Sequence, residues 1–160
     1  LALVSRATFL QTYADTVPAA DILAHCDREN SPERYAAWLR SPDYRFWAAR
    51  ASGTGAAVGF AMMCPPDLPV PTGPEDVELK RLYLLHRFHG GGAGWRLIQA
   101  VIDAARAAGK SRLLVGVYAS NPDAIAFYAR QGFTPAGVRQ FRVGDYDYDD
   151  LVFALELDQA

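Results

Sequence analysis

Between an apolar run and an amphipathic run of this 160-residue chain lies His89-Gly90-Gly91-Gly92-Ala93-Gly94, a segment whose backbone could do chemistry. The first amides of a helix have no partner within it, and glycines let that backbone approach a ligand closely. The helix dipole adds about half a positive charge at the same point. The chemistry on offer is anion binding, and a pyrophosphate suits it. No Lys-Ser/Thr follows, so the run is not a Walker loop. Its glycine spacing and its place in the chain also differ from a dinucleotide fingerprint. A plain flexible turn remains the competing reading of the loop by itself. Cys26 and Cys64 stand far apart with no His or Cys at ligand spacing, so neither a metal centre nor a disulfide framework is expected.

The elements that must hold such a loop follow from periodicity. Val77–Leu85 reads as an apolar strand. Gly94–Ala108 reads as a helix with Leu97, Ile98, Val101, Ile102 and Ala105 on one face, and Arg112–Val117 as an unalternating, buried strand. Strand, helix and strand in that order make a βαβ unit with parallel pairing and a right-handed crossover. Asn121-Pro122-Asp123 opens a further helix by a cap and an N1 proline, and Gly132 closes it. Upstream, Leu1–Ala7 alternates weakly and is expected to open a sheet, with Thr8 capping a helix that runs through Ala24. Ser31-Pro32 starts a helix carrying Tyr35, Trp38 and Leu39 that stops near Ser41-Pro42. Tyr44–Arg50 and Ala56–Cys64 form a hairpin about Ser52-Gly53-Thr54-Gly55. Pro65–Pro74 is too proline-rich for central strand. Thr134–Val143 and Asp149–Leu157 close the chain as an antiparallel pair around an acidic turn. A single domain over residues 1–160 accounts for all of this.

Three segments taken together resemble one family in content, order and spacing: Glu78-Leu79-Lys80-Arg81-Leu82-Tyr83-Leu84, then His89-Gly90-x-Gly92-x-Gly94, then Asn121-x-x-Ala124-x-x-Phe127-Tyr128-x-x-x-Gly132-Phe133. That family is the GNAT superfamily of N-acetyltransferases. The resemblance implies an α/β fold: a single mixed, largely antiparallel sheet with one central parallel strand pair splayed to admit coenzyme A, and helices on both faces. It also implies acetyl-CoA as co-substrate. The amides of His89, Gly90, Gly91, Gly92, Ala93 and Gly94 would hold the pyrophosphate, and Leu82, Tyr83, Leu84, Asn121 and Phe127 would line the pantetheine. His89 departs from the family's usual Gln or Arg, where the amides matter more than the side chain.

Acetyl transfer needs a deprotonated amine, a polarised thioester carbonyl and a proton for the departing thiolate. Backbone N–H groups near Leu82 and Leu84, unpaired where the sheet opens, can polarise the carbonyl. Tyr128, a phenol of reference pKa about 10, is the candidate general acid, against the alternative of a half-buried packing residue beside Ile125 and Ala129. By the same resemblance Glu78 matches the place of a carboxylate that deprotonates the amine, directly or through water, against the alternative of an ordinary charge at a strand end; Glu75 and Asp76 are nearby as substitutes. Asn121 can cap its helix or bond pantetheine. Arg87, Arg96 and Lys110 are within possible reach of phosphates but also read as solvated charges; Trp38 and Trp47 read as packing.

A finer likeness, in Arg81-Leu82-Tyr83-Leu84-Leu85, Phe88-His89-Gly90, Gly137-x-x-x-Phe141-x-x-Gly144-Asp145 and Asp150-Leu151-Val152, is to bacterial spermidine/spermine N-acetyltransferases of the PaiA type. It implies a small-molecule amine as partner, possible homodimerisation and a polyamine acceptor. Asp145, Asp147, Asp149 and Asp150 with Glu75, Asp76 and Glu78 would attract such a polycation if they share one rim. Other acceptors stay open: a protein N-terminus, an amino acid or an aminoglycoside-type amine. Two readings outside the enzyme class are a non-catalytic acyl-CoA-binding module of the same fold and a plain α/β domain holding another phosphate ligand. A net charge of -2 and pI near 5.9 argue against a nucleic-acid surface. No apolar stretch reaches membrane-spanning length; a cytoplasmic protein is the expectation.

Overall fold

The computed structural model describes residues 1–157. In chain order the elements are α1 (Ala2–Tyr13), α2 (Ala19–Glu29), α3 (Pro32–Arg40), β1 (Arg45–Arg50), β2 (Ala57–Cys64), β3 (Asp76–Leu84), α4 (Ala93–Ala107), β4 (Arg112–Tyr118), α5 (Pro122–Arg130), β5 (Thr134–Val143) and β6 (Tyr146–Glu156). The strands form one six-stranded sheet in the order β1-β2-β3-β4-β6-β5. Every neighbouring pair is antiparallel except β3 and β4. No helix among the described residues is long and apolar enough to cross a membrane.

The expected βαβ unit is present. α4 lays Leu97, Ile98, Val101, Ile102 and Ala105 on Val77, Leu79, Leu113, Val115 and Phe153, its periodic apolar stripe covering one face of the sheet. The other face carries α1, α2 and α3. Val4 and Tyr35 pack on Phe60 and Met62, while Phe9, Tyr13, Ile22 and Cys26 pack on Val143. Both proline-led helix starts hold, since Ser31 Oγ accepts from the Arg34 amide at 3.2 Å and Asn121 Oδ1 from the Ala124 amide at 3.1 Å.

The N-terminal reading needs correction. Leu1–Ala7 opens no strand but lies mostly in α1, with Val4, Ser5, Thr8 and Phe9 buried on one face and Leu3 exposed. Seven residues of weak alternation fit a helix equally well, and Ser5 Oγ donating to Asn30 Oδ1 at 2.9 Å shows what that face is for. Thr8 is not a cap; its hydroxyl bonds the carbonyls of Val4 and Ser5. The helix also does not run through to Ala24, because the chain breaks after Tyr13 and restarts behind Pro18. At the other end β6 begins at Tyr146, not Asp149. Asp147 and Asp150 are strand residues that face Arg142 and Arg139 of β5 across the ladder.

β3 and β4 pair only at Asp76–Arg112, Val77–Leu113 and Glu78–Leu114, and beyond that they part. The closed end is clamped. Arg112 donates to both oxygens of Asp76 at 3.0 and 2.7 Å, and the Gly73 amide donates to the same carboxylate. The Arg112 hydrogen bonds first, then the Gly73 amide, hold the Asp76 carboxyl below its ordinary pKa. A folded pKa below the unfolded one means stability present above the unfolded value and lost as pH falls through the folded one. Replacing Asp76 with Asn is therefore expected to cost about 1–3 kcal/mol at pH 7 by urea denaturation, with the gap to the parent protein narrowing once pH drops below about 4.

Candidate functional site

A parallel pair that stops after Glu78 leaves backbone groups facing a gap. The Leu85 amide reaches Val58 in β2 at 2.9 Å, so alternation along the strand turns the amides of Leu82 and Leu84 the other way, into the fork. A register shift in β3, where Met63 pairs with Leu79 but Met62 with Arg81, inserts Lys80 as a bulge. It reverses which face each later residue serves. Leu79 and Leu82 both pack on the α4 side, whereas Tyr83 joins the α1/α3 cluster and Arg81 bonds the Tyr35 hydroxyl. Nothing in Leu79-Lys80-Arg81 announces this bulge.

The fork opens into a cleft of about 1180 Å³, somewhat above the range of about 300 to 1,000 Å³ usual for small-ligand sites. Its walls include Glu78 through Leu84, Val115–Tyr118 of β4, Asn121, Phe127 and Tyr128 of α5, and His89, Gly90, Gly92 and Gly94 of the glycine loop. Gly91 and Ala93 belong to the same loop but are not in the cleft wall.

The glycine loop has the form that anion binding requires. Gly90 and Gly92 sit at φ +77 and +76, a region side chains resist, and a Cβ on Gly90 would meet nothing within 4 Å. α4 begins at Ala93 with Gly92 as its left-handed N-cap. Among the described residues the amides of 90 through 95 find no acceptor, the Arg96 amide being the first to bond, to Gly92 O at 3.0 Å. Arg96 folds back, Nη2 to Gly91 O at 3.4 Å, so its charge lies over the loop. Lys110 is instead at the far end of α4, donating to Pro74 O at 2.7 Å, and does not approach the loop. The ring of His89 bonds the Leu84 carbonyl at 2.9 Å and so ties the loop to the end of β3.

On the α4 side, Tyr128 is buried among Phe127 and Phe133, both edge-on at 5.3 and 5.4 Å. Burial, then the neighbouring Tyr83, pushes its phenol well above the ordinary value. No hydrogen bond engages its hydroxyl among the described residues. Phe127 lies against Gly94, where a Cβ would stand 3.7 Å from the ring. Asn121 spends its oxygen on the cap and keeps its amide nitrogen for the cleft it lines.

Glu78 sits at the crotch of the fork, 2% exposed, accepting from the Asp67 amide at 2.7 Å with Lys80 Nζ 3.8 Å away. Its neighbour across β2 is Cys64. Burial, then the Glu78 charge, pushes that thiol up to about 12, which removes it as a nucleophile at neutral pH. Glu75 and Asp76 lie at the clamped end, Asp76 being held by Arg112. Trp47 packs into the core. Trp38 does more than pack: it lines the cleft with the Arg81 guanidinium 4.7 Å over its ring.

Of the acidic residues expected to share one rim, Glu78 and Asp150 line the cleft and the other five do not. Asp76 pairs with Arg112 at the start of β4 and Asp150 with Tyr118 at its end, about 20 Å apart at the strand rise. Asp147 and Asp150 are each neutralised by an arginine.

A forked parallel pair with an amide-rich loop at its mouth makes a cleft suited to a ligand anchored by an anionic group. The family model for the acetyltransferase (GNAT) family matches residues 10–133, and the chain belongs to that family. It is 36% identical over 157 residues to an uncharacterized N-acetyltransferase of Mycobacterium tuberculosis, covering 98% of this chain and 96% of that one. It is 37% identical over 120 residues to an IAA acetyltransferase of Azospirillum brasilense, covering 74% and 70%. The fold is also that of the PaiA N-acetyltransferase of Thermoplasma acidophilum in complex with coenzyme A, with TM-score 0.72 and 19% identity over 97% of this chain and 91% of that one. The protein is thus an acyltransferase with acetyl-CoA as co-substrate.

A methyl group at Gly92 would strain the left-handed cap and stand 3.2 Å from Arg96 Nη1. Gly92→Ala is expected to weaken CoA binding on the order of tenfold by titration calorimetry. Unchanged affinity would show that the phosphates are held elsewhere.

Proposed function

We propose that the protein moves the acetyl group of acetyl-CoA directly to the primary amine of a small molecule, with Tyr128 as general acid and Glu78 as base. The observation that carries this reading is the position of both side chains on one forked cleft that also receives the amides of Leu82, Leu84 and the glycine loop. The loop and Arg96 anchor the diphosphate, and Asn121 and Phe127 flank the pantetheine. The gap-facing amides of Leu82 and Leu84 donate to the carbonyl oxygen as it gains charge. Glu78, directly or through one water, takes a proton from the attacking amine. The new C–N bond forms as the C–S bond breaks, and Tyr128 gives its proton to the departing sulfur. The raised thiol of Cys64 favours this direct route over a cysteine-bound acyl intermediate.

A polyamine acceptor is the finer form of this reading, supported by the likeness to the Thermoplasma PaiA protein. Only Glu78 and Asp150 of the grouped carboxylates line the cleft, and Asp150 is paired with Arg139, which thins the electrostatic argument for spermidine and spermine. They therefore enter the assay panel beside monoamines, amino acids and a peptide N-terminus.

Tyr128→Phe is expected to lower kcat about a hundredfold or more with little change in the KM for acetyl-CoA. Because burial keeps the phenol protonated, the parent enzyme should show no alkaline loss of kcat below pH about 10. Full activity in the Phe variant would remove Tyr128 from the acid role and leave CoA binding untouched.

A further inference from the structure

The face of the sheet that carries α1 and α2 holds an anomaly. Among the described residues, the buried side-chain atoms without a hydrogen-bond partner are His25 Nδ1 and Asp150 Oδ1, and both residues line the one cleft. Buried polar atoms are almost always paired, so two orphans in one wall call for a ligand. Asp150 is 3% exposed. Arg139 Nε donates to its Oδ2 at 2.9 Å and Nη2 lies 2.9 Å from the same oxygen as an ion pair, leaving Oδ1 with nothing.

The two orphans are joined by a continuous aromatic wall. The His25 ring stacks on Phe9 at 4.2 Å, Phe9 meets Tyr13 at 4.5 Å, and Tyr13 meets Tyr118 at 5.4 Å. Tyr118 is the strand partner of Asp150. Burial pushes His25 down to about 4, so this end of the wall is neutral at working pH. Such a slot favours a flat apolar body. Burial raises the Asp150 carboxyl above its ordinary value while the Arg139 charge pulls it back down; paired with that guanidinium as a carboxylate, its free oxygen can only accept, so the body must bring a donor to Asp150.

The geometry points to an acceptor subsite for an arylalkylamine. Its ring lies along Phe9, Tyr13 and Tyr118, and a ring hydroxyl or amino group that takes no part in the reaction donates to Asp150 Oδ1. The assignment rests on the acetyl-transfer reading for the origin of the amine, but the slot binds by its own contacts. Asp150 is a specificity residue and Arg139 its positioning partner. Arg139 reaches across β4 at Gly116, where a Cβ would stand 2.8 Å from Nη2, so only glycine leaves it that path.

The test uses tyramine and phenethylamine, which differ by one phenolic hydroxyl. Binding of each to the CoA-loaded protein is measured by calorimetry, and acetylation of each is assayed with acetyl-CoA. Tyramine is expected to bind, and to react in kcat/KM, on the order of tenfold better. In Asp150→Asn the ratio should shrink, since the amide keeps an oxygen for Arg139 and offers the phenol oxygen only a neutral N–H in place of a charged acceptor; CoA-induced thermal stabilisation serves as the fold control. Equal binding of the two amines by the parent protein overturns the subsite without needing any variant. An undiminished preference in Asp150→Asn, or spermidine binding more tightly than either aryl amine, overturns it as well. Absence of transfer to any amine counts against the catalytic reading alone, because the calorimetric ratio still decides the subsite.

Discussion

The ladder between β3 and β4 ends after Glu78 and Leu114, and the site exists because it ends there. β4 pairs along its whole length with β6, and β3 pairs along most of its length with β2, so each arm of the fork is fixed by its outer neighbour. The twist of the sheet and the Lys80 bulge then carry the arms apart. At the base, Arg112 on Asp76, the Ser111 amide on Glu75 O and Lys110 on Pro74 O hold them together. Unpaired amides in a closed core would each cost about 1–3 kcal/mol. Opened onto a cleft they remain available as donors, which is the condition for binding a ligand through backbone.

The fork also divides labour between the two faces of the sheet. The glycine loop, α4, Phe127 and Tyr128 lie on one side; α1, α2, Tyr118 and Asp150 lie on the other. Glu78 stands where they meet. The bulge is what makes this division possible, since without it Leu82 would share a face with Arg81's helices and Tyr83 would turn into the α4 core. On the proposed reading, a donor held by amides and an acceptor held by side chains approach the same opening from opposite sides, so that acceptor choice could vary through α1 and α2 without disturbing the glycine loop.

Much of this was legible in residue order. The βαβ unit, both proline-led caps and the glycine loop follow from local rules of periodicity and capping, so the elements from Glu78 to Phe133 that frame the cleft could be read. The first thirty residues could not, because seven weakly alternating residues fit either period and Pro18 was needed to see the break between α1 and α2. Asp147 reads as turn charge because the Tyr-Asp-Tyr-Asp-Asp run looks like a solvated loop; only its partner Arg142 across the ladder makes it strand. His25, Phe9 and Tyr13 gave no signal, since aromatic residues at helical spacing are ordinarily core. The bulge at Lys80 is set by its neighbours in β2 and has no local sequence mark.

Burial raises the Tyr128 phenol, which at first sight makes it a poor acid for a thiolate, whose reference pKa is about 8.5. The comparison that matters is made inside the cleft. The same removal of water that disfavours a phenolate disfavours a thiolate beside it, as the rise of the buried Cys64 thiol illustrates. If both groups climb together, the proton is passed between two destabilised anions, and the gap between them shrinks relative to either one against water. A phenol that stays protonated until the carbon–sulfur bond breaks is then an asset. It presents a hydrogen bond throughout the approach to the transition state and releases the proton only to a base that has just formed in contact with it.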